Sequence, residues 1–168
     1  MQKQISAGIL PFDMKERPKK RLGELLIEDG IISRENLDEA LTYQKKEGGL
    51  IGQILIRLGY ISEENLAAAL GYQLQIPYLP LMNYSINADA AKRFEDDFCR
   101  RNMVMAFDQD EKRIFLTVAD PLNGTVLEEV EKKAGLKVQL FLSTPSEILN
   151  MLDLIFKSVK KSEVKKAA

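Results

Sequence analysis

The chain has 168 residues, of which 45% are apolar and 29% charged, a composition typical of a globular protein rather than a disordered one. Its 24 basic and 25 acidic residues leave a net charge of −1, so the overall charge gives no reason to expect binding to nucleic acid. One cysteine and no histidine exclude an internal disulfide, a Cys–His zinc site and a Cys–His or Ser–His catalytic pair. Cys99 is expected to be a small core residue.

Residues 1–20 are expected to form a flexible N-terminal segment, because the stretch is rich in Lys and Arg and has no helical periodicity. Its apolar part, Ile5–Phe12, is too short and too interrupted for the core of a signal peptide. No apolar run in the chain approaches the ~18 residues that suggest a membrane span. We therefore expect a cytoplasmic protein, or a cytoplasmic part of one, without direct membrane insertion.

A tandem repeat follows, over residues 21–74. Residues 21–44 and 50–73 align with an offset of 29, and a five-residue spacer separates them. Thirteen of the 24 paired positions are identical. Such a repeat predicts two copies of one structural unit, packed together as a helical subdomain.

Each copy is predicted to be a short helix, a turn and a longer helix. In the first copy Gly30 ends the short helix with a positive φ, and Ser33 caps the next helix. Leu37, Ala40, Leu41 and Gln44 then recur at helical spacing on one face. The second copy repeats the pattern with Leu66, Ala69, Leu70 and Gln73.

Packing of two helical hairpins explains most of this pattern without a ligand. Two features favour a ligand instead. Gln44 and Gln73 continue an apolar face, where an amide needs hydrogen-bond partners. Gly23 and Gly52 lie in the short helices, where glycine costs ~1 kcal/mol relative to alanine, which suggests close approach to the main chain.

The second half, residues 75–157, is predicted to be a small α/β subdomain. Residues 75–83 indicate an extended connector because two prolines interrupt them. The remaining predicted elements are a short helix at 88–94, strands at 103–107, 113–119 and 137–142, and helices at 123–134 and 145–159. Gly135 is expected to end the helix at 123–134, and Thr144 to cap the last one. The fold class is therefore α+β and mainly helical, with the repeat packed on a three-stranded subdomain. Residues 158–168 are expected to be a Lys-rich tail or linker.

Asp120, before Pro121, follows a predicted strand and precedes a helix. It either caps that loop or accepts hydrogen bonds from a ligand. No catalytic constellation is present: the chain lacks the Walker A, GxGxxG and GxSxG patterns, and no carboxylate pair suits acid–base chemistry. We expect no catalytic residue, no metal site and no enzymatic activity.

The motif Arg21-Leu22-Gly23, Gly30 and the leucine-spaced helix ending in Gln44, followed after the spacer by a second copy, resembles the MshEN domain. That domain is the N-terminal part of type II secretion and type IV pilus assembly ATPases. The resemblance covers about residues 21–156. It implies a cyclic di-GMP receptor without other cofactors, in which each copy binds half of the ligand. The implied contacts are Arg21, Leu22, Gly23, Leu37, Leu41, Gln44, Leu50, Ile51, Gly52, Leu66, Leu70, Gln73 and Asp120.

Leu50 departs from the motif, because the first copy has Arg21 at that position. The loss of one arginine keeps a second interpretation open, a docking domain that recruits the ATPase to the inner-membrane platform protein without binding nucleotide. In either case the implied partner is a motor ATPase domain, attached in the same chain or separate. The implied location is cytoplasmic, at the inner membrane through a partner.

Overall fold

The structure, a computed structural model, describes the main chain of residues 20–166 and the side chains of residues 20–157. The N-terminal segment expected to be flexible lies outside the described residues, apart from Lys20. The helices are α1 (Leu22–Glu28), α2 (Arg34–Glu47), α3 (Ile51–Arg57), α4 (Glu63–Leu74), α5 (Ala88–Ala91), α6 (Asp96–Asn102), α7 (Gly124–Ala134) and α8 (Pro145–Lys166), with a 3-10 turn at Leu81–Asn83. The strands are β1 (Val104–Gln109), β2 (Arg113–Val118) and β3 (Lys137–Leu142). The mainly helical α+β class and the three-stranded sheet are confirmed.

The chain divides into two compact units. The first contains the chain through Ser62 together with Ala68–Pro77, and the second contains Glu63–Ala67 and the chain from Tyr78 onward. The first turn of α4 therefore clusters with the second unit. One contact within that unit shows why: the carboxylate of Glu63 accepts a hydrogen bond from the main-chain N–H of Ser146, at 3.1 Å, in the first turn of α8.

The first unit is built from the two repeated helix pairs. Each short helix ends at a glycine with positive φ, +67° at Gly30 and +76° at Gly59, a conformation that glycine adopts at little cost. Both glycine helix ends were predicted from the repeat. Buried residues of the short helices form much of the core here: Leu25, Leu26, Ile54 and Leu55.

Helix α2 begins at the predicted cap. Ser33 Oγ accepts from the N–H of Asn36 at 3.2 Å, and Asn36 Oδ1 accepts from the N–H of Ser33 at 3.0 Å. The helix runs to Glu47, three residues beyond the predicted end at Gln44, and stops at Gly48 with φ +74°. Lys45 and Lys46 lie in that last turn, where positive charge favours the helix dipole.

The sheet of the second unit has the order β1-β2-β3, with β1 and β2 antiparallel and β2 and β3 parallel. A bulge interrupts the β1–β2 register between Ala106 and Asp108. Residues 104–107 and 114–118 are all buried. Because successive strand residues face opposite sides, β1 and β2 are covered on both faces.

The connector before the sheet is fixed to β3. Tyr78 pairs with Leu142, whose carbonyl accepts from the N–H of Leu79 at 2.7 Å. Two buried hydrogen bonds follow one another at this connector. The hydroxyl of Thr117 donates to Ser143 Oγ at 2.6 Å, and the hydroxyl of Ser143 donates to the carbonyl of Leu79 at 2.7 Å. These hydrogen bonds satisfy hydroxyl groups that would be costly to bury unpaired.

Helix α6 was not predicted. Its inner side buries Phe98 and Cys99, and Arg100 pairs with Asp96 and with Asp153 of α8. Cys99 is fully buried, as expected, and burial raises the pKa of its thiol to about 12.

Helix α8 begins at the predicted cap, where Thr144 and Glu147 bond to each other's main-chain N–H groups at 3.1 and 2.9 Å. It continues to Lys166, beyond the predicted end at Val159. Over the part of the chain that the structure describes, no helix combines the length and apolarity needed to cross a membrane.

Candidate functional site

The candidate site is formed by the starts of the two short helices, one in each copy of the repeat. Arg21 and Leu50 are the N-caps of α1 and α3, and both have extended backbone angles, φ −71° and ψ 151° against φ −86° and ψ 131°. Both side chains are exposed, and Leu50 retains 64% of its accessible surface. The main-chain N–H of Arg21 donates to Glu24 Oε2 at 3.1 Å, which fixes the direction in which the first helix begins.

Gly23 is packed against a leucine of its own unit. A Cβ atom at this position would lie 2.6 Å from Leu37 Cδ1, closer than carbon atoms can approach. The sequence analysis took the glycine here as a sign of a ligand close to the main chain; in the structure the group that approaches is Leu37, so core packing accounts for Gly23 without a ligand. Gly52, its counterpart in the second copy, is also buried.

The leucines expected to contact the ligand differ in exposure. Leu37 and Leu66 are buried, at 6% and 8% of their surface, and belong to the core. Leu41 is 38% exposed and Leu70 is half-buried. Leu22 and Ile51, which follow the two N-caps, are also half-buried. The apolar surface that a ligand could contact therefore includes Leu41 and Leu70 more than Leu37 and Leu66.

The two glutamines have equivalent partners. Gln44 Nε2 donates to the carbonyl of Gly49 at 2.8 Å, and Gln73 Nε2 donates to the carbonyl of Lys20 at 2.9 Å. Lys20 and Gly49 are themselves related by the offset of 29. The sequence showed that each amide needs a partner, but it did not identify these carbonyls.

Other charged groups near the repeat pair with one another. Lys20 Nζ lies 2.6 Å from Glu28, and that hydrogen bond raises the pKa of the Lys20 ammonium. Arg57 donates to the hydroxyl of Tyr43 at 3.1 Å, with its guanidinium 5.7 Å from the ring centroid. The ammonium of Lys20 is therefore paired within the chain.

Asp120 belongs to the second unit, in the loop between β2 and α7. It is exposed, and its Oδ1 accepts from the main-chain N–H of Leu122 at 3.0 Å. This contact shapes the loop locally. The carboxylate has further acceptor positions that this bond leaves unused.

We also searched the described residues for a metal site and for a groove. They contain no group of three or more side chains able to bind a metal ion. A shallow groove of about 600 Å³ in the second unit runs beside α7, between Lys112 and Leu136. Its walls carry lysines and glutamates of both signs, and it includes none of the residues expected to bind a ligand.

Comparisons with known proteins bear on both halves of the chain. A family model described as "MshEN domain" matches residues 74–161. The solved structure of MshE with cdg is similar at a TM-score of 0.70 and 27% identity, covering 82% of this chain and 99% of that chain. This coverage exceeds the length of chain after Gln73, so the likeness extends into the tandem repeat.

Two structures of the N-terminal domain of XpsE share the fold. Their identities are 21% and 22%, their TM-scores 0.61 and 0.53. They cover 79% and 83% of this chain, and 92% and 97% of their own chains. None of the curated proteins matches the sequence.

Proposed function

This chain belongs to the MshEN domain family, and on that premise we propose that it is a regulatory module that binds cyclic di-GMP in a type II secretion or type IV pilus system. In this proposal the chain has no catalytic activity of its own. A motor ATPase domain, attached or separate, performs the chemistry, and the module reports the nucleotide's presence to it in the cytoplasm. The similar MshE structure contains cdg, which supports the choice of ligand.

The observation that carries the proposal is the pair of equivalent helix starts. Cyclic di-GMP consists of two identical nucleotides closed in a ring, with two negative charges. The first N–H groups of a helix have no acceptor within the helix and attract anions. Two such starts, at Leu22-Gly23 and Ile51-Gly52, therefore match the symmetry and the charge of the ligand.

Arg21 is the proposed main side-chain contact. A guanidinium is planar and positively charged, and it can both stack on a guanine base and pair with a phosphate. The half-buried Leu70 and the exposed Leu41 offer apolar surface to the bases. The contact expected of Asp120, which belongs to the second unit, stays a prediction from the resemblance.

The test is isothermal titration calorimetry of the chain with cyclic di-GMP, with GTP as the ligand control. We expect saturable binding of cyclic di-GMP that Arg21→Ala weakens by about 10- to 150-fold, the value of a charge-assisted contact of ~1.5–3 kcal/mol. Arg34→Ala is the matched control, since Arg34 is an exposed arginine at the start of α2. Equal affinity of the Arg21 and Arg34 variants would remove the role proposed for Arg21.

Leu50 favours a second candidate function. An apolar side chain that is 64% exposed at a helix start is suited to a protein surface as well as to a base. In this alternative the module binds the cytoplasmic part of the inner-membrane platform protein and no nucleotide. No heat with cyclic di-GMP from folded protein, together with capture of the platform domain that nucleotide does not alter, would establish it.

A further inference from the structure

The two motif glutamines are joined to the main chain crosswise. Gln44 is the last repeated residue of the first copy, in α2, and donates to Gly49, directly before the start of the second copy. Gln73 is the last repeated residue of the second copy, in α4, and donates to Lys20, directly before the start of the first copy. Each copy therefore fixes the entrance of the other. We refer to these two bonds as the crossed contacts.

The acceptors lie one residue before the N-caps Arg21 and Leu50. A hydrogen bond to the preceding carbonyl fixes the peptide plane from which each N-cap projects. It thereby limits the directions open to the Arg21 side chain and to the first helical N–H groups. Gln44 and Gln73 are half-buried residues, and each holds the main chain one residue before a helix start.

We propose that Gln44 and Gln73 are positioning residues, whose amide donors fasten the two helix starts crosswise. The part of this inference that concerns the ligand rests on the function proposed above. The structural part does not, because the crossed contacts form in the chain without any ligand. Glutamine suits the role because its amide donates a bond to a carbonyl, whereas a glutamate carboxylate at neutral pH only accepts.

The two crossed contacts differ in what they join. Gln44 and Gly49 are five residues apart, so their bond closes a local turn across the spacer. Gln73 and Lys20 are 53 residues apart, so their bond joins the beginning of the repeat to its end. Loss of the Gln73 contact should therefore release the chain at Arg21, and loss of the Gln44 contact should loosen only the spacer and the start of α3.

Hydrogen exchange of the ligand-free chain tests the structural part. Gln73→Met and Gln73→Glu keep the size of the side chain and remove the amide donor. We expect them to speed exchange at residues 20–25 by about 2- to 12-fold, the range for loss of one neutral hydrogen bond. Gln44→Met should act on residues 49–54 instead. Gln53→Met is the matched control, because Gln53 is an exposed glutamine of α3.

Titration with cyclic di-GMP then separates positioning from contact. A positioning role predicts that Gln73→Met alters ligand-free exchange and weakens binding together, and that Arg21→Ala weakens binding while exchange at residues 22–25 stays near wild type. Unchanged ligand-free exchange in Gln73→Met would overturn the inference. Absence of cyclic di-GMP binding by the wild-type chain would overturn only the proposed function, since the exchange result is independent of ligand. Circular dichroism confirms the fold of each variant, and Gln73→Glu provides a second test if Gln73→Met unfolds.

Discussion

Leu50 is the residue at which the second copy of the repeat lacks the motif arginine of the first. It occupies the N-cap of α3 as Arg21 occupies that of α1, with similar backbone angles, so an arginine there would project from an equivalent helix start. We expect Leu50→Arg to tighten cyclic di-GMP binding by about tenfold, the lower end for a charge-assisted contact. Calorimetry of the variant against the wild-type chain measures the change.

The control for that substitution is Met82→Arg in the second unit. Met82 is 65% exposed, close to the 64% of Leu50, so both variants add one positive charge at an exposed apolar position. General electrostatic attraction would tighten both variants equally. Tightening confined to Leu50→Arg would locate the second half of the ligand at the start of α3, and weaker binding by that variant would argue for an apolar contact there.

Gly23 provides a test of packing at the same scale. Because an alanine Cβ would lie 2.6 Å from Leu37 Cδ1, Gly23→Ala forces α1 or the leucine to move. We expect the free energy of unfolding to fall by about 1–3 kcal/mol, as for other overpacked cores. Urea unfolding followed by circular dichroism measures it.

Gly124→Ala is the paired control, since a Cβ at Gly124 has no atom within 4 Å and φ there is unremarkable. Its stability should stay the same or rise by up to ~1 kcal/mol, because alanine favours the helix. Gly23→Ala combined with Leu37→Ala should recover part of the packing penalty, although the double variant still loses the leucine's own burial. A Gly23→Ala chain as stable as wild type would show that α1 adapts freely.

For single residues, the sequence predicted the need for a contact but not the partner. The position of Gln44 and Gln73 on an apolar face predicted that their amides need partners. The acceptors, Lys20 and Gly49, could not be inferred, because they depend on how each turn folds back onto the next copy. Similarly, Gly23 predicted a close approach, and only the three-dimensional packing shows that Leu37 makes it.

At the scale of elements, capping residues predicted where several of the helices begin and end. Ser33 and Thr144 begin helices as predicted, and Gly135 ends α7 with φ +66°. Helix α6 escaped prediction because its seven residues are mostly polar and too few to show a period. Its stability depends on contacts distant in sequence, including the pair between Arg100 and Asp153.

At the spacer, by contrast, the end of the repeated sequence did not predict the end of the helix. Its two lysines and one glutamate are good helix formers, so α2 continues through them to Glu47 instead of stopping at the last repeated residue. The repeat defined the unit that was copied. The helix end was defined by Gly48, the first residue after the motif that favours a positive φ.

At the scale of the whole molecule, several carboxylates make stability depend on pH. A hydrogen bond from the N–H of Val138 lowers the pKa of Glu131, and one from the N–H of Lys112 lowers that of Asp110. A hydrogen bond from Lys157 does the same for Asp153. A lowered pKa in the folded state means that unfolding takes up protons as the pH falls.

The stabilisation from these groups is therefore complete above the pKa of ~4 of an unfolded carboxylate and is lost as the pH falls through the folded values. We expect the urea midpoint to be level between pH 7 and 5 and to fall below pH ~4. Glu131→Gln should show a shallower fall than wild type, while Glu128→Gln, on the exposed side of α7, should follow the wild-type curve. A midpoint that rises in acid would contradict this assignment.

Two parts of the chain carry the likeness to the MshEN family. The family model matches residues 74–161, which follow the repeat, whereas the repeat suggested the family from residues 21–73. The likeness to MshE extends across both regions. Two different parts of one chain thus lead to the same family, and the ligand is the property that the proposed titrations decide.

Cys99 has a practical consequence. It is the one thiol of the sequence, it has no exposed surface, and its pKa of about 12 leaves almost no thiolate at neutral pH. An alkylating reagent can react with it only when the packing between α6 and its neighbours opens. The rate of alkylation therefore measures how often the packing around Cys99 opens in the second unit. The measurement requires no engineered label. The same measurement with and without cyclic di-GMP would show whether a ligand at the repeat slows the opening around Cys99.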